Sequence, residues 1–221
     1  MGGRKRAMKV SWVFDVISPF AYLNLTQLPQ LPPHVEVEYV PVLLAGLLNH
    51  HGQIGPAEMP TKRRFTYRFA LWRARRMGVP MCLPPAHPFN PLQALRLIIA
   101  AGSTRQSIET VFAAIFRYGL DAADPKVIER VAAELGINDP QSALNESQVK
   151  QQLRQNTDWA IANGIFGVPT FLIGDELFWG HDSFDMVLDY LRDAAAFQDE
   201  QMRAIDGLPI GVQRAPAAKP K

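Results

Sequence analysis

Residues 60–164 carry helix-type patterning throughout, and strand-type segments stand only before and after them. That distribution restricts the fold more than any composition figure: strands from the two ends share a sheet only if the helical block is an excursion from it. On the near side, Met8 to Val16 is a short apolar run (Val10, Trp12, Val13, Phe14, Val16) and reads as a strand covered on both faces. Ser18-Pro19 opens a helix through about Leu28, because serine is a preferred N-cap and proline lacks only an N–H that would be unpaired there. Pro29, Pro32 and Pro33 stop it. Val35 to Val42 alternates with Glu36 and Glu38 and reads as a second strand, completing a βαβ unit of right-handed type. On the far side, Pro169 to Ile173 and Glu176 to Trp179 read as a hairpin about Gly174-Asp175, and Ser183 as the cap of a last helix. The expected class is α/β, with 8–59 and 165–200 forming the sheet domain and 60–164 an inserted helical subdomain. The tails, 1–7 and 207–221, are expected to be disordered.

Within the block, Asn90-Pro91 starts a helix that Gly102 ends, and Asp124-Pro125 starts another that Gly136 ends. Ile108 to Phe116 and Val149 to Ile161 mark two more. One predicted helix is crowded with Lys62, Arg63, Arg64, Arg68, Arg73, Arg75 and Arg76. Its Phe65, Phe69 and Trp72 recur at helical spacing and read as a core-facing stripe with the bases turned to water. The basic face reads first as solvated, and second as a means of steering anions.

Cys82 is the only cysteine, which excludes an intrachain disulfide, CxxC redox chemistry and a cysteine-based zinc site. It is expected to be a small buried hydrophobe. The five histidines are scattered apart from His50-His51, so no metal is expected. A formal net charge of +2 is too small to argue for nucleic acid. No run approaches the ~20 apolar residues of a membrane span. The basic start, Met-Gly-Gly-Arg-Lys-Arg, is followed by no clear cleavage site, so the expected location is cytoplasmic.

Two features carry chemistry. Ser18 stands where the first strand gives way to a helix, and unpaired amides at such a helix mouth favour an anion. The serine adds one hydroxyl donor. The arrangement suits a thiolate brought by a small molecule, although the same residues also serve as plain cap and N1. Far downstream, Phe166-Gly167-Val168-Pro169-Thr170 precedes a strand. A trans proline is the commoner state of such a pair; a cis bond would turn the preceding backbone toward open space.

Together, Asp15-x-x-Ser18-Pro19-Phe20-x-Tyr22-Leu23, Gly167-Val168-Pro169-Thr170, Gly174-Asp175-Glu176 and Trp179-Gly180-His181-Asp182 resemble the 2-hydroxychromene-2-carboxylate isomerases. These belong with the kappa-class glutathione transferases in the DsbA-like branch of the thioredoxin superfamily. The resemblance runs from about Lys9 to Leu191 and implies a thioredoxin-like fold, DsbA-like, with an inserted all-helical subdomain. It implies glutathione as cofactor, with Ser18 on the sulfur and Val168, before a cis Pro169, pairing with the tripeptide backbone. Trp179, Gly180, His181 and Asp182 would hold the γ-glutamyl end. The implied activity is isomerisation of a conjugated, aromatic-derived carboxylic acid; the alternatives are a kappa-like transferase and a non-catalytic thioredoxin-fold binding protein. The partners implied are a small-molecule substrate and glutathione, with no nucleic acid and no membrane, and a homodimer is allowed.

The chain departs from the family on the substrate side. The family lysine after the second strand is missing from Leu43 to His51, where Asn49, His50 and His51 are the polar candidates. Glu58, after Gly55-Pro56, stands where the family has asparagine, and its carboxylate would repel an anionic substrate. Phe89 and Asn90, in Pro88-Phe89-Asn90-Pro91-Leu92, complete the substrate-side candidates, with Asn90 equally readable as a helix cap.

Overall fold

The structure is a computed structural model and describes residues 8–212. The chain divides after Phe184 into two compact units. In the first, β1 (Met8–Phe14), α1 (Pro19–Leu25) and β2 (Val35–Pro41) are followed by α2 (Leu44–His51). Then come α3 (Pro60–Met77), α4 (Leu92–Ala100), α5 (Arg105–Phe112), α6 (Pro125–Glu134), α7 (Pro140–Asn145) and α8 (Ser147–Ala162). The chain returns to strand in β3 (Thr170–Ile173) and β4 (Glu176–Trp179). The second unit holds most of α9 (Phe184–Arg192), and α10 (Glu200–Asp206). Sequence patterning pointed to neither α2, α7 nor α10. The expectation of disorder for 1–7 and 213–221 lies outside the described residues.

The strands make one sheet in the order β2-β1-β3-β4. β1 runs parallel to β2, and β3 antiparallel to both β1 and β4, so the two ends of the chain do share a sheet. With a neighbour on each edge, β1 buries Val10, Trp12, Val13 and Phe14 completely. Trp12 and Phe14, two apart and so on one face, stack at 4.5 Å and meet Phe112 of α5. Val13 lies in a separate cluster with Val40, Val42, Leu47, Ala160, Ile165 and Val168, to which α8 contributes. Helices from the long excursion thus take part in the apolar packing of both sets of β1 side chains.

Several expectations fail in detail. α1 stops at Leu25, where the Thr26 hydroxyl donates to the Leu23 carbonyl; Leu28–Gln30 is a separate 3₁₀ turn. Ser183, directly before α9, also closes a 3₁₀ turn, and its hydroxyl donates to the Gly180 carbonyl. The aromatic stripe of α3 faces out rather than in, with Phe65 67% and Trp72 51% exposed. The buried residues of α3 are Ala70 and Ala74. The helix packs through these small side chains, while Phe65, Phe69 and Trp72 stack on one another at 5.8 Å. Cys82 is exposed, not buried.

Candidate active site

The register of the sheet gathers the site. Val13 pairs with Thr170 across antiparallel strands, so the chain leaving β1 toward Ser18 runs beside the chain entering β3 from Val168 and Pro169. Ser18 caps α1 as its local sequence dictates: its Oγ accepts from Ala21 N at 3.2 Å, with Pro19 at the first helical position. Accepting that bond leaves the hydroxyl proton free to be donated elsewhere. Phe20 N–H, in the first turn, has no carbonyl behind it within the helix. Ser18 is 7% exposed.

The turn before Ser18 is fixed from within. Asp15 is fully buried; its Oδ1 accepts from Ile17 N at 3.0 Å and its Oδ2 from Leu44 N at 2.8 Å. Burial pushes its pKa up to about 7, against the pull of the Ile17, Leu44 and Val16 amides. Ser18 N donates to the Asp15 carbonyl at 3.1 Å. The start of α2 is tied to the same turn, and Leu43 N donates to Thr157 Oγ1 of α8.

The Val168–Pro169 bond is cis, and Val168 stands ahead of the first ladder residue of β3, so its peptide groups lie outside the paired register. Gly167 makes room for Trp179: a Cβ there would stand 2.6 Å from the indole Nε1. Gly180 turns the chain at φ 93° and donates its N–H to the Pro169 carbonyl. His181 is buried and stacks on Phe20 at 4.9 Å, which brings the 179–182 segment against α1. Arg73 Nε donates to His181 Nε2 at 3.1 Å, so the ring proton sits on Nδ1. Burial lowers the His181 pKa; the Asp182 charge raises it and Arg73 lowers it further. The Asp182 side chain is 74% exposed.

The sheet register thus sets the turn before Ser18 beside the Val168–Pro169 segment, and the Phe20–His181 stack sets the 179–182 segment against α1. Asn49 is exposed on α2. Asn90 Oδ1 accepts from Leu92 N and serves the start of α4. Phe89 is buried, edge-on to His87 at 5.5 Å. Glu58 Oε1 accepts from Gly55 N, and Glu58 borders a cavity of about 360 Å³ with Ala57, Pro60, Arg63, Arg64 and Tyr67. No sequence signal pointed to Tyr67 and His87, whose bond joins α3 to a loop twenty residues on. Among the described residues no helix is long and apolar enough to cross a membrane.

Similarity to known proteins follows the same frame. The chain is 25% identical over 206 residues to glutathione s-transferase kappa 2 of Caenorhabditis elegans, covering 83% of this chain and 92% of that one. It is 26% identical over 192 residues to the 2-hydroxychromene-2-carboxylate isomerase of Sphingobium xenophagum, covering 83% and 98%. A solved 2-hydroxychromene-2-carboxylate isomerase matches with a TM-score of 0.74 at 23% identity, covering 88% of this chain and 99% of that one, a likeness of fold. A family model, the DSBA-like thioredoxin domain, matches residues 9–192, most of the chain, and the protein belongs to that family.

Proposed function

We propose that this protein is a glutathione-dependent isomerase of a conjugated, aromatic-derived carboxylic acid. The observation that carries the reading is the Ser18 hydroxyl at the mouth of α1: its oxygen is held by Ala21 N and its proton is free to be donated. Glutathione, when bound, supplies a thiolate that adds reversibly to a conjugated carbon and leaves unchanged once the double bond has rotated. Ser18 Oγ–H donates to the sulfur, with the Phe20 amide beside it. The Val168 peptide pairs with the tripeptide backbone. Trp179, Gly180, His181 and Asp182 take the γ-glutamyl end, where the exposed Asp182 carboxylate suits an ammonium group. On the acceptor side, the guanidinium groups of Arg63 and Arg64 line the same cavity as Glu58 and offset its charge.

Kappa-like transfer is the second reading, favoured by the absence of a lysine from 43–51 and the presence of Glu58. Following glutathione through turnover separates the two: consumption in step with substrate rules out isomerisation. For Ser18→Ala we expect folding to survive with about 1 kcal/mol lost with the helix cap. Most turnover should disappear, because a hydroxyl donated to a charged partner contributes about 1–3 kcal/mol. Unchanged kinetics would refute the role given to Ser18. Calorimetric titration with glutathione tests the non-catalytic alternative, which predicts no heat at millimolar ligand. A cytoplasmic location and a homodimer accompany the proposal; sedimentation decides the second.

A further inference from the structure

Asp15 accounts for the N–H groups of Ile17 and Ser18, and the one main-chain acceptor left between them and the helix is the Ile17 carbonyl. That carbonyl lies 2.6 Å from Nε2 of His87, which is 8% exposed and comes from the loop between α3 and α4, seventy residues along the chain. A carbonyl only accepts, so Nε2 carries the ring proton. Nδ1 then presents a lone pair to the Tyr67 hydroxyl at 2.6 Å, the nearer of that hydroxyl's two acceptors, the His87 carbonyl lying at 3.1 Å. Arg63 Nη2 donates to the His87 carbonyl at 2.6 Å, fixing the backbone of the same residue. Burial lowers the His87 pKa and Arg63 lowers it further, against the Ile17 bond, which keeps the ring in the neutral form this pattern requires. The imidazole is thereby held in one orientation and one tautomer, aimed at the peptide that precedes Ser18.

We infer that His87 is a positioning residue for Ser18: by gripping the Ile17 carbonyl opposite Asp15, it fixes the peptide that aims the serine hydroxyl at the bound sulfur, with Tyr67 holding its tautomer. A hydroxyl displaced from its line to the sulfur loses much of a charge-assisted bond, whose strength depends on geometry. The inference rests on the functional reading above, and it adds His87 and Tyr67, which act on the Ser18 hydroxyl through the Ile17 peptide.

The test is the pH midpoint for ionisation of bound glutathione, followed by ultraviolet absorbance of the thiolate, together with kcat and KM. In His87→Leu the midpoint should rise by about one unit. kcat at neutral pH should fall about tenfold with KM for glutathione changed less than about threefold. His87→Gln, whose side-chain amide reaches the place of Nε2, should recover most of both. If His87→Leu does not fold, Tyr67→Phe carries the measurement: a raised midpoint supports the inference and an unchanged one overturns it. A folded His87→Leu with the wild-type midpoint overturns it as well. If glutathione bound to the wild type stays a thiol, the functional reading fails and takes the inference with it; a thiolate in the wild type with no response at His87 sinks the inference alone.

Discussion

Asp15 and His87 hold the Ile17 peptide from opposite sides, and burial moves both away from their charged forms, in opposite pH directions. The Asp15 pKa rises from 3.8 to about 7, so the native chain binds this proton more tightly than the unfolded chain. Its stabilising contribution is full below the unfolded value and is lost as pH rises through about 7. Asparagine imitates the protonated carboxyl without titrating. The stability of Asp15→Asn relative to wild type should therefore increase with pH between about 4 and 7, by up to about 1.4 kcal/mol per unit. Thermal or denaturant unfolding across that range checks this, and parallel curves for the two proteins would contradict it. His87, lowered by burial, works the other way: its contribution is full above the unfolded value of 6.5 and is lost as pH falls through the lowered native value. Beside the same site, Gly167→Ala places a methyl 2.6 Å from the Trp179 indole, which must move. We expect weakened glutathione binding, read by calorimetry, with a stability cost of about 1–3 kcal/mol. Wild-type affinity in that variant would remove Trp179 from the ligand site. Of these residues, Ser18 and Pro19 were legible because capping is local. His87 was not, since its partner is seventy residues away and a lone histidine has no pattern.

Elements are legible where periodicity or punctuation is strong, and illegible where the choice of face depends on a neighbour. β1, β2, β3 and β4 fall within a residue or two of their sequence limits, because short apolar runs end at proline, glycine and charge. The sequence marks α3 as a helix but not which of its faces is buried. Helical spacing relates Phe65, Phe69 and Trp72 to one another, and equally relates Ala70 to Ala74; which set is buried depends on how closely the neighbouring element approaches. Phe69 meets Phe20 of α1 at 5.9 Å, while Ala70 and Ala74 are the buried residues of the helix. At the start of α2 the cap position is held by Leu43, which has no side-chain acceptor. The structure supplies one from α8: Thr157 Oγ1 accepts from Leu43 N at 3.0 Å and donates to the Leu153 carbonyl. Thr157→Val keeps the shape and removes both bonds, and should cost about 1–3 kcal/mol in a denaturant melt. A change under about 0.5 kcal/mol would mean that water replaces the hydroxyl.

At the scale of the molecule, the helical excursion belongs to the core. Ala160 of α8, with Trp159 and Ile161 packed alongside, shares one apolar cluster with Val13, Val40, Val42 and Leu47, and Phe112 of α5 meets Trp12 and Phe14. Replacing 60–164 by a short linker would expose these side chains, at about 1.5–3 kcal/mol for each large one. We expect such a protein to show no cooperative thermal unfolding. A sharp transition would establish the sheet domain as an independent folding unit.

By itself the sequence determined the order of the strands and of the helices other than α2, α7 and α10, the pairing of the two chain ends in one sheet, the Ser18 cap and the exclusion of cysteine redox chemistry. Those follow from period, capping and composition, which are properties of neighbouring residues. Tertiary structure alone decided which face of α3 is buried, that Thr157 caps α2, and that His87 and Asp15 grip the Ile17 peptide. The physical reason is common to all three: a buried donor, acceptor or apolar face must find its partner wherever the fold brings one near, and that partner is set by packing across tens of residues.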